Sequence, residues 1–247
     1  MEKINYQTYD SFEGDFWYIL SRQDLLEKIF SKFLKRGKKK LKILDLGAGT
    51  GFNYDAASKF GEVHCLDFEK AAIKSCKKKG IKHTYLGDAH NLDMFKDSTF
   101  DVVMAIELIE HLDDDSKALS EVKRVLKKGG YFIGTTPAHK HLWSVDDDLA
   151  HHKRRYSKKN LKSKLSKFFK IEFLSYRYFF FYLPSLVLFN IQKLLKRVSK
   201  KEKNSLSFTP GLLNKVLLKI MNFENTLLSK RVKLFLGVGF VFVCKKK

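Results

Sequence analysis

The sequence predicts an α/β fold in which a mostly parallel sheet is covered by helices on both faces. Short apolar runs that end at glycine or aspartate recur through the first half of the chain. Stretches with the periodicity of an amphipathic helix separate most of them. Of the 247 residues, 44% are hydrophobic, so the chain can form a substantial core and is not disordered. Parallel strands need such crossover helices, because each helix returns the chain to the edge where the next strand begins.

The predicted elements begin with a helix over residues 20–35, whose apolar side chains recur at helical spacing. Five strands follow, each a short apolar run. They are predicted over residues 41–46, 63–67, 82–86, 100–106 and 131–135. The clearest helix among them covers residues 116–127, because Leu119, Val122 and Val125 share one face.

The pattern changes after the fifth strand. A loop rich in His, Asp and Arg, residues 137–156, leads to Ser157, which is predicted to cap the N-terminus of a helix. A sixth strand is predicted over residues 170–178 and a last strand over residues 238–244.

The segment between the last two strands is apolar at first and then basic. Its uncharged run, residues 178–192, is interrupted by Pro184 and is shorter than the roughly 20 residues that a membrane-spanning helix needs. A transmembrane segment is therefore not predicted. Thr209 and Pro210 have the residue types of a helix start, so a second helix is predicted from there.

The net charge of +21 is confined to one end of the chain. Residues 1–150 hold 24 Lys/Arg and 24 Asp/Glu, whereas residues 151–247 hold 24 Lys/Arg and only 3 Asp/Glu. This polarised charge indicates an anionic partner for the C-terminal part, either a membrane surface, nucleic acid or a phosphorylated substrate.

The cysteines and the N-terminus indicate a cytoplasmic protein. Cys65, Cys76 and Cys244 are too few and too scattered for a disulfide framework, and none has the spacing of a cysteine zinc site. No metal site is predicted. The first ten residues are polar and acidic, which is not typical of a signal peptide.

The motif ILDLGAGTG carries the strongest functional signal. A buried strand ends in a turn at Gly47, Gly49 and Gly51, where a backbone can approach a ligand closely. A dinucleotide-binding turn would need its third glycine at the position of Phe52. Asp67 ends the next strand and could accept both hydroxyls of a ribose. The pattern therefore favours a ligand that contains a nucleoside but lacks a pyrophosphate.

Five motifs in order resemble the class I S-adenosylmethionine (SAM)-dependent methyltransferases. They are LDLGAGTG, CLDFE, LGDAHNL, FDVVMAIELIEHLDD and LKKGGYFIGTTP, across residues 41–136. Within that superfamily they look most like the ubiquinone/menaquinone-type small-molecule methyltransferases. The resemblance implies a Rossmann-like, seven-stranded, mostly parallel sheet with an antiparallel last strand, SAM as cofactor, and transfer of its methyl group.

The resemblance also implies contacts for the cofactor, residue by residue. These are Asp45, Gly47, Ala48 and Gly49 for the methionine half, Asp67 for the ribose, Phe68, Asp88 and Ala89 for the adenine, and Ile106 and Glu107 beside the sulfonium. The alternative for Asp67 is that it only ends a strand, and the alternative for Asp88 is that it only forms part of a turn.

A hydroxyl acceptor needs a base to remove its proton, and histidine suits that role near neutral pH. His111 and His151 are the preferred catalytic candidates, ahead of His139, His141 and His152. Alternatively, His111 is a solvated residue before a helix. Arg154 and Arg155 could form a clamp for a phosphate or carboxylate of the substrate, or could be a solvated helix entry.

The chain is expected to divide into three parts. These are an N-terminal helical cap (1–40), a SAM-binding core (41–178 with 232–247) and a basic amphipathic insertion (179–231). Apolar residues beside lysines are typical of elements that lie on an anionic membrane. We therefore expect the insertion to be a lid or membrane-interface element at the inner membrane face. The alternative is a helical subdomain that packs on the core or forms a homodimer.

The function expected from these observations is methyl transfer to a small-molecule or lipid-linked acceptor, with O-methylation favoured. An RNA methyltransferase is the main alternative, because the C-terminal part is basic. No separate RNA-binding module is visible in the sequence, which weighs against it. A non-catalytic SAM-fold partner protein is the third possibility.

Overall fold

The computed structural model describes residues 16–34, 40–196 and 211–247. The strands are β1 (Leu41–Leu46), β2 (Gly61–Asp67), β3 (His83–Leu86), β4 (Phe100–Ile106), β5 (Leu126–Pro137), β6 (Lys170–Arg177) and β7 (Gly239–Lys245). The α-helices are α1 (Trp17–Phe33), α2 (Tyr54–Ser58), α3 (Lys70–Lys78), α4 (Asp115–Val125), α5 (Val145–Leu149), α6 (Lys158–Phe168), α7 (Tyr182–Lys196) and α8 (Gly211–Ser229). The helix start predicted at Thr209 and Pro210 lies outside the described residues.

The strands form one seven-stranded sheet in the order β3-β2-β1-β4-β5-β7-β6. Strand β7 is antiparallel to both of its neighbours, β5 and β6, whereas the remaining pairs are parallel. The predicted mostly parallel sheet with an antiparallel last strand is therefore confirmed. The strand order reverses between β1 and β4, which is where α/β sheets of this kind bind ligands beyond the carboxyl ends of the strands.

Strand β5 extends further towards the N-terminus than predicted. It begins at Leu126, which pairs with Phe100 of β4, and its irregular start includes Gly129 with a φ of 77°. The sequence LKKGG has low strand propensity, so the local pattern could not predict this part. Pairing with β4 and β7 stabilises it instead.

Two hydrophobic clusters pack on opposite faces of the sheet. One includes Leu119 of α4 and Leu161 of α6, and the other includes Phe30 of α1 and Cys76 of α3. Helices therefore cover both faces, as predicted. The predicted cap at Ser157 is confirmed, because its hydroxyl accepts the backbone N–H of Asn160 at the start of α6.

Helix α8 packs against α1. The amide Nδ2 of Asn225 donates to the carbonyl of Ser21 (2.7 Å) and to the carboxylate of Asp24 (2.9 Å). The backbone N–H of Trp17 donates to Asn214 Oδ1 at 2.8 Å. The N-terminal helix and the second helix of the insertion therefore form one packed pair. Among the described residues, no helix has both the length and the apolar character needed to cross a membrane.

Candidate active site

The glycine loop leaves the carboxyl end of β1 in a conformation that its glycines allow. Gly47 has a φ of 73°, and a Cβ placed on it would lie 2.6 Å from Leu108 Cδ1. Gly49 has a φ of 55°, and a Cβ on it would meet no atom within 4 Å. The loop is therefore packed against the segment after β4 at Gly47 and faces open space at Gly49.

Asp67, at the carboxyl end of β2, holds this loop. Its Oδ2 accepts the N–H of Gly49 at 2.8 Å, and its Oδ1 accepts the N–H of Glu69 at 2.9 Å. Burial raises the pKa of Asp67, although these hydrogen bonds oppose the shift. Each carboxylate oxygen keeps a second lone pair that can accept a ligand hydroxyl.

Asp45, near the end of β1, is buried and only weakly satisfied. Its Oδ1 has no hydrogen-bond partner within the described residues, and its Oδ2 lies 3.5 Å from Asn53 Nδ2. Burial raises the pKa of Asp45 to about 7. An unpaired oxygen of this kind, buried beside a ligand-binding loop, is suited to a ligand that donates a hydrogen bond or carries positive charge.

The residues expected to contact adenine lie on the β2 and β3 side of the loop. Phe68 follows Asp67 and is 62% exposed, which leaves the ring free to cover a base. Ala89 is buried. Asp88 accepts the backbone N–H and ring Nδ1 of His90. Although partial burial acts to raise it, the pKa of Asp88 is lowered by these hydrogen bonds.

Glu107 lies directly after β4, next to the buried Ile106. Its φ of 51° is uncommon for a residue other than glycine. The backbone N–H of Glu107 donates to the carbonyl of Thr135 on β5 at 3.2 Å. Strained backbone of this type concentrates at functional sites. The side chain of the next residue, Leu108, lies against Gly47 of the glycine loop.

A second polar group follows Glu107. One side-chain ligand atom from each of Glu110, His111 and His152 lies within 4.8 Å of the others. The rings of His111 and His152 meet edge to face, with centroids 4.6 Å apart. Burial, and then His152, lower the pKa of His111 to about 4, so His111 is neutral at pH 7 and a weaker base than a free histidine.

Known proteins that resemble this chain point to one family. A sequence profile described as a methyltransferase domain matches residues 44–134. The demethylmenaquinone methyltransferase of Leptospira interrogans is 39% identical over 103 residues, which cover 38% of this chain and 41% of that enzyme. The chain therefore matches about two fifths of the length of this curated relative.

Two further similarities cover most of the chain. An uncharacterized protein of Methanocaldococcus jannaschii is 30% identical over 194 residues, which cover 77% of this chain and 86% of that protein. The crystal structure of a SAM-dependent methyltransferase from Archaeoglobus fulgidus superposes with a TM-score of 0.59, covering 99% of this chain and 100% of that one at 19% identity. The chain therefore contains a methyltransferase domain and has the fold of a SAM-dependent methyltransferase.

The residues of this site fit SAM, the cofactor that the methyltransferase domain and the fold imply. The orphaned Oδ1 of Asp45 suits the ammonium of the methionine half, and the open space at Gly49 admits a ligand. For a nucleoside, the Asp67 carboxylate has a lone pair that can accept a hydroxyl, and Phe68 has an exposed ring face that can cover the base. Bound there, SAM supplies an electrophilic methyl group on a sulfonium. The individual contacts remain predictions.

His152, rather than His151, lies beside His111. Sequence analysis preferred His151 as a catalytic candidate. His151 is exposed and has a φ of 55°, so the backbone turns at this residue. The Nδ1 of His152 lies 2.7 Å from Asp147 Oδ1, which fixes the inward orientation of that ring. Adjacent residues in a loop cannot be distinguished by sequence pattern alone. The catalytic roles of His111 and His151 remain predictions.

Arg154 and Arg155 both bind carboxylates of the chain itself. Arg154 lies 3.0 Å from Asp115, and Arg155 donates from Nε to Asp147 at 2.7 Å. Burial acts to raise the pKa of Asp147, but hydrogen bonds from His152 and Arg155 hold it well below its usual range. These arginines therefore stabilise the loop after β5, and their predicted role as an anion clamp for substrate remains open to test.

Arg177, at the carboxyl end of β6, is a buried charged residue to which sequence analysis gave no role. Its side chain is fully buried, none of its three nitrogens has a hydrogen-bond partner in the described part of the chain, and its guanidinium lies 4.0 Å from the ring centroid of Tyr178. Glu224 of α8 accepts the N–H groups of Tyr178 and Phe179. The sequence pattern that could have identified Arg177 is a charged residue at the end of an apolar strand, and the same pattern occurs at Asp67.

Proposed function

We propose that this protein transfers a methyl group from SAM to an oxygen atom of a small-molecule or lipid-linked acceptor. The observation that carries this proposal is an exposed apolar helix beside the loop that holds His152. Helix α7 contacts this loop, since Tyr182 Oη lies 3.0 Å from His141 Nε2 and Arg155 lies over the ring of Phe189.

The apolar surface of the two insertion helices is large. On α7, Leu183, Val187 and Leu188 are each more than half exposed. On α8 the exposed apolar residues are Leu212, Leu213, Val216 and Phe223. The segment over residues 179–231 also holds 10 Lys/Arg and only 2 Asp/Glu. An apolar and basic surface of this kind is suited to the interface of an anionic bilayer.

Similarity to relatives supports the class of acceptor. One of them, 39% identical over 103 residues, is named for action on demethylmenaquinone. This similarity supports the proposal that the chain is a methyltransferase of the ubiquinone/menaquinone type. O-methylation is favoured because Glu110 and His111 both lie close enough to Glu107 to interact with its charge, and an acceptor hydroxyl would meet the methyl group beside Glu107.

The test is a transfer assay with SAM labelled in its methyl group. The purified protein is incubated separately with a lipid extract and with RNA from the same cells. We expect label in the organic phase and none in RNA, and we expect Asp67→Ala to abolish it. Label in RNA alone would establish the RNA methyltransferase instead, and binding of SAM without any transfer would favour the non-catalytic partner protein.

A further inference from the structure

We propose that Glu110, His111 and His152 bind one divalent transition-metal ion beside the methyl-transfer site. Sequence analysis predicted no metal site. Binding of the ion stands on geometry alone. Its role in catalysis rests on the proposed O-methyl transfer.

The fold brings these side chains together from two adjacent strands. Glu110 and His111 follow β4, and His152 lies in the loop after β5, which pairs with β4. The backbone N–H of Lys153 donates to the carbonyl of Glu110 at 2.8 Å, which joins the two segments directly beside the site. One ligand atom from each of the three side chains then lies within 4.8 Å of the others.

The carboxylate of Glu110 has one oxygen that is suited to binding a cation. The side chain is fully buried, its Oε2 accepts the hydroxyl of Thr136 at 3.0 Å, and its Oε1 has no hydrogen-bond partner among the described residues. A bound cation would satisfy the orphaned oxygen and favour the ionised carboxylate.

The ring of His152 is held in an orientation that suits a metal ligand. Asp147 Oδ1 lies 2.7 Å from Nδ1 of His152, so Nδ1–H donates to the carboxylate and Nε2 lies on the far side of the ring. Asp147 is fixed in turn by Arg155 and Ser144. The ring of His111 meets the ring of His152 edge to face, with centroids 4.6 Å apart. A carboxylate behind a ligating histidine is the usual outer partner at metal sites.

Two imidazoles and one carboxylate favour a first-row transition ion over Mg²⁺, which prefers oxygen ligands. Three protein ligands leave positions open for an acceptor hydroxyl. Coordination would lower the pKa of that hydroxyl, so that its proton passes to water near neutral pH. The oxygen would then form a bond to the methyl carbon as the carbon–sulfur bond of SAM breaks, releasing S-adenosylhomocysteine.

The test measures metal binding directly. Chelator-treated full-length protein is titrated with Mn²⁺, and bound ion is followed by electron paramagnetic resonance and calorimetry. We expect one site per chain, and at least about tenfold weaker binding in His152→Gln and in Glu110→Gln. Asp147→Asn, which keeps all three ligands and alters the outer partner of His152, should weaken binding by about 10–100-fold.

His151→Gln is the matched control, because it changes the neighbouring but exposed histidine. It should leave Mn²⁺ affinity unchanged, and SAM binding by each variant confirms that the fold is intact. Absence of bound Mn²⁺ in the unsubstituted protein, or equal affinity in His152→Gln, would overturn the proposal.

The metal site and the proposed function fail in different ways. Transfer that survives chelation in a protein that binds no Mn²⁺ would remove the metal site and leave O-methyl transfer standing. Stoichiometric Mn²⁺ binding that depends on His152, without transfer to any lipid or RNA, would retain the metal site and remove the proposed function.

Discussion

Asp67 Oδ2 accepts the backbone N–H of Gly49 at 2.8 Å, so the carboxylate that ends β2 also fixes the middle of the glycine loop. This contact joins two neighbouring parallel strands at their carboxyl ends. A substitution of Asp67 therefore alters both a proposed ribose contact and the shape of the loop.

Asp67→Ala should weaken SAM binding by at least about tenfold, because hydrogen bonds to a charged group contribute about 1.5–3 kcal/mol. Calorimetric titration with SAM and S-adenosylhomocysteine measures the loss. Asp97→Asn, at the opposite edge of the sheet before β4, removes an exposed carboxylate that binds Arg124 and should leave affinity unchanged. Equal SAM affinity in both variants would mean that Asp67 only ends its strand.

SAM affinity should rise as the pH increases through about 7, the pKa to which burial raises Asp45. Below that pH the carboxyl is protonated and neutral, whereas above it the carboxylate attracts the ammonium of the methionine half. Calorimetry at pH 6 and pH 8 checks this. Asp45→Asn should bind SAM weakly and without this pH dependence, and a pH dependence that persists in Asp45→Asn would assign it to another group.

Asp45→Asn should also stabilise the protein without ligand at pH 8. The pKa of Asp45 is higher in the folded state (about 7) than its ordinary value of 3.8, so its stabilising contribution is complete below 3.8 and is lost as the pH rises through 7. Asparagine cannot ionise and avoids this loss. We expect Tm to rise by at least about 2 °C at pH 8, with a smaller change at pH 5. A Tm that falls at pH 8 would contradict this assignment.

Arg177→Met should lower Tm in the absence of ligand. The positive charge of Arg177 favours the ionised form of buried Glu224, and removal of one member of a buried pair of opposite charges is strongly destabilising. Glu224 keeps its hydrogen bonds to Tyr178 and Phe179 in this variant. Thermal denaturation measures the effect, and an unchanged Tm would show that the charge of Arg177 does not stabilise the fold.

Val187→Gln combined with Leu188→Gln should reduce binding to anionic liposomes, because both side chains are more than half exposed on the apolar surface of α7. Flotation at low salt measures binding. Lys159→Gln, an exposed charge on α6, is the control and should change binding little. Failure of the unsubstituted protein to float at low salt would remove the membrane-interface hypothesis and favour the packed helical subdomain.

The metal-ligand set shows why the candidate site could be predicted only in part. Glu110 and His111 lie in a recognisable motif directly after a strand, so their location was accessible from the sequence. The choice between His151 and His152 depended on one backbone angle and on the hydrogen bond to Asp147. Neither the backbone angle nor the hydrogen bond can be recognised in the local sequence, because both depend on how the loop after β5 packs against the segment after β4.

By itself, the sequence determined the α/β fold, the bounds of β1 and β4, and the position of the glycine loop with Asp45 and Asp67. These features depend on local hydrophobic periodicity and on residue types adjacent in the chain. Only the tertiary structure decided that α8 packs against α1, that Arg177 is buried against the ring of Tyr178, and that His152 meets Glu110. Such relationships depend on contacts between distant segments, and local propensity carries no information about them.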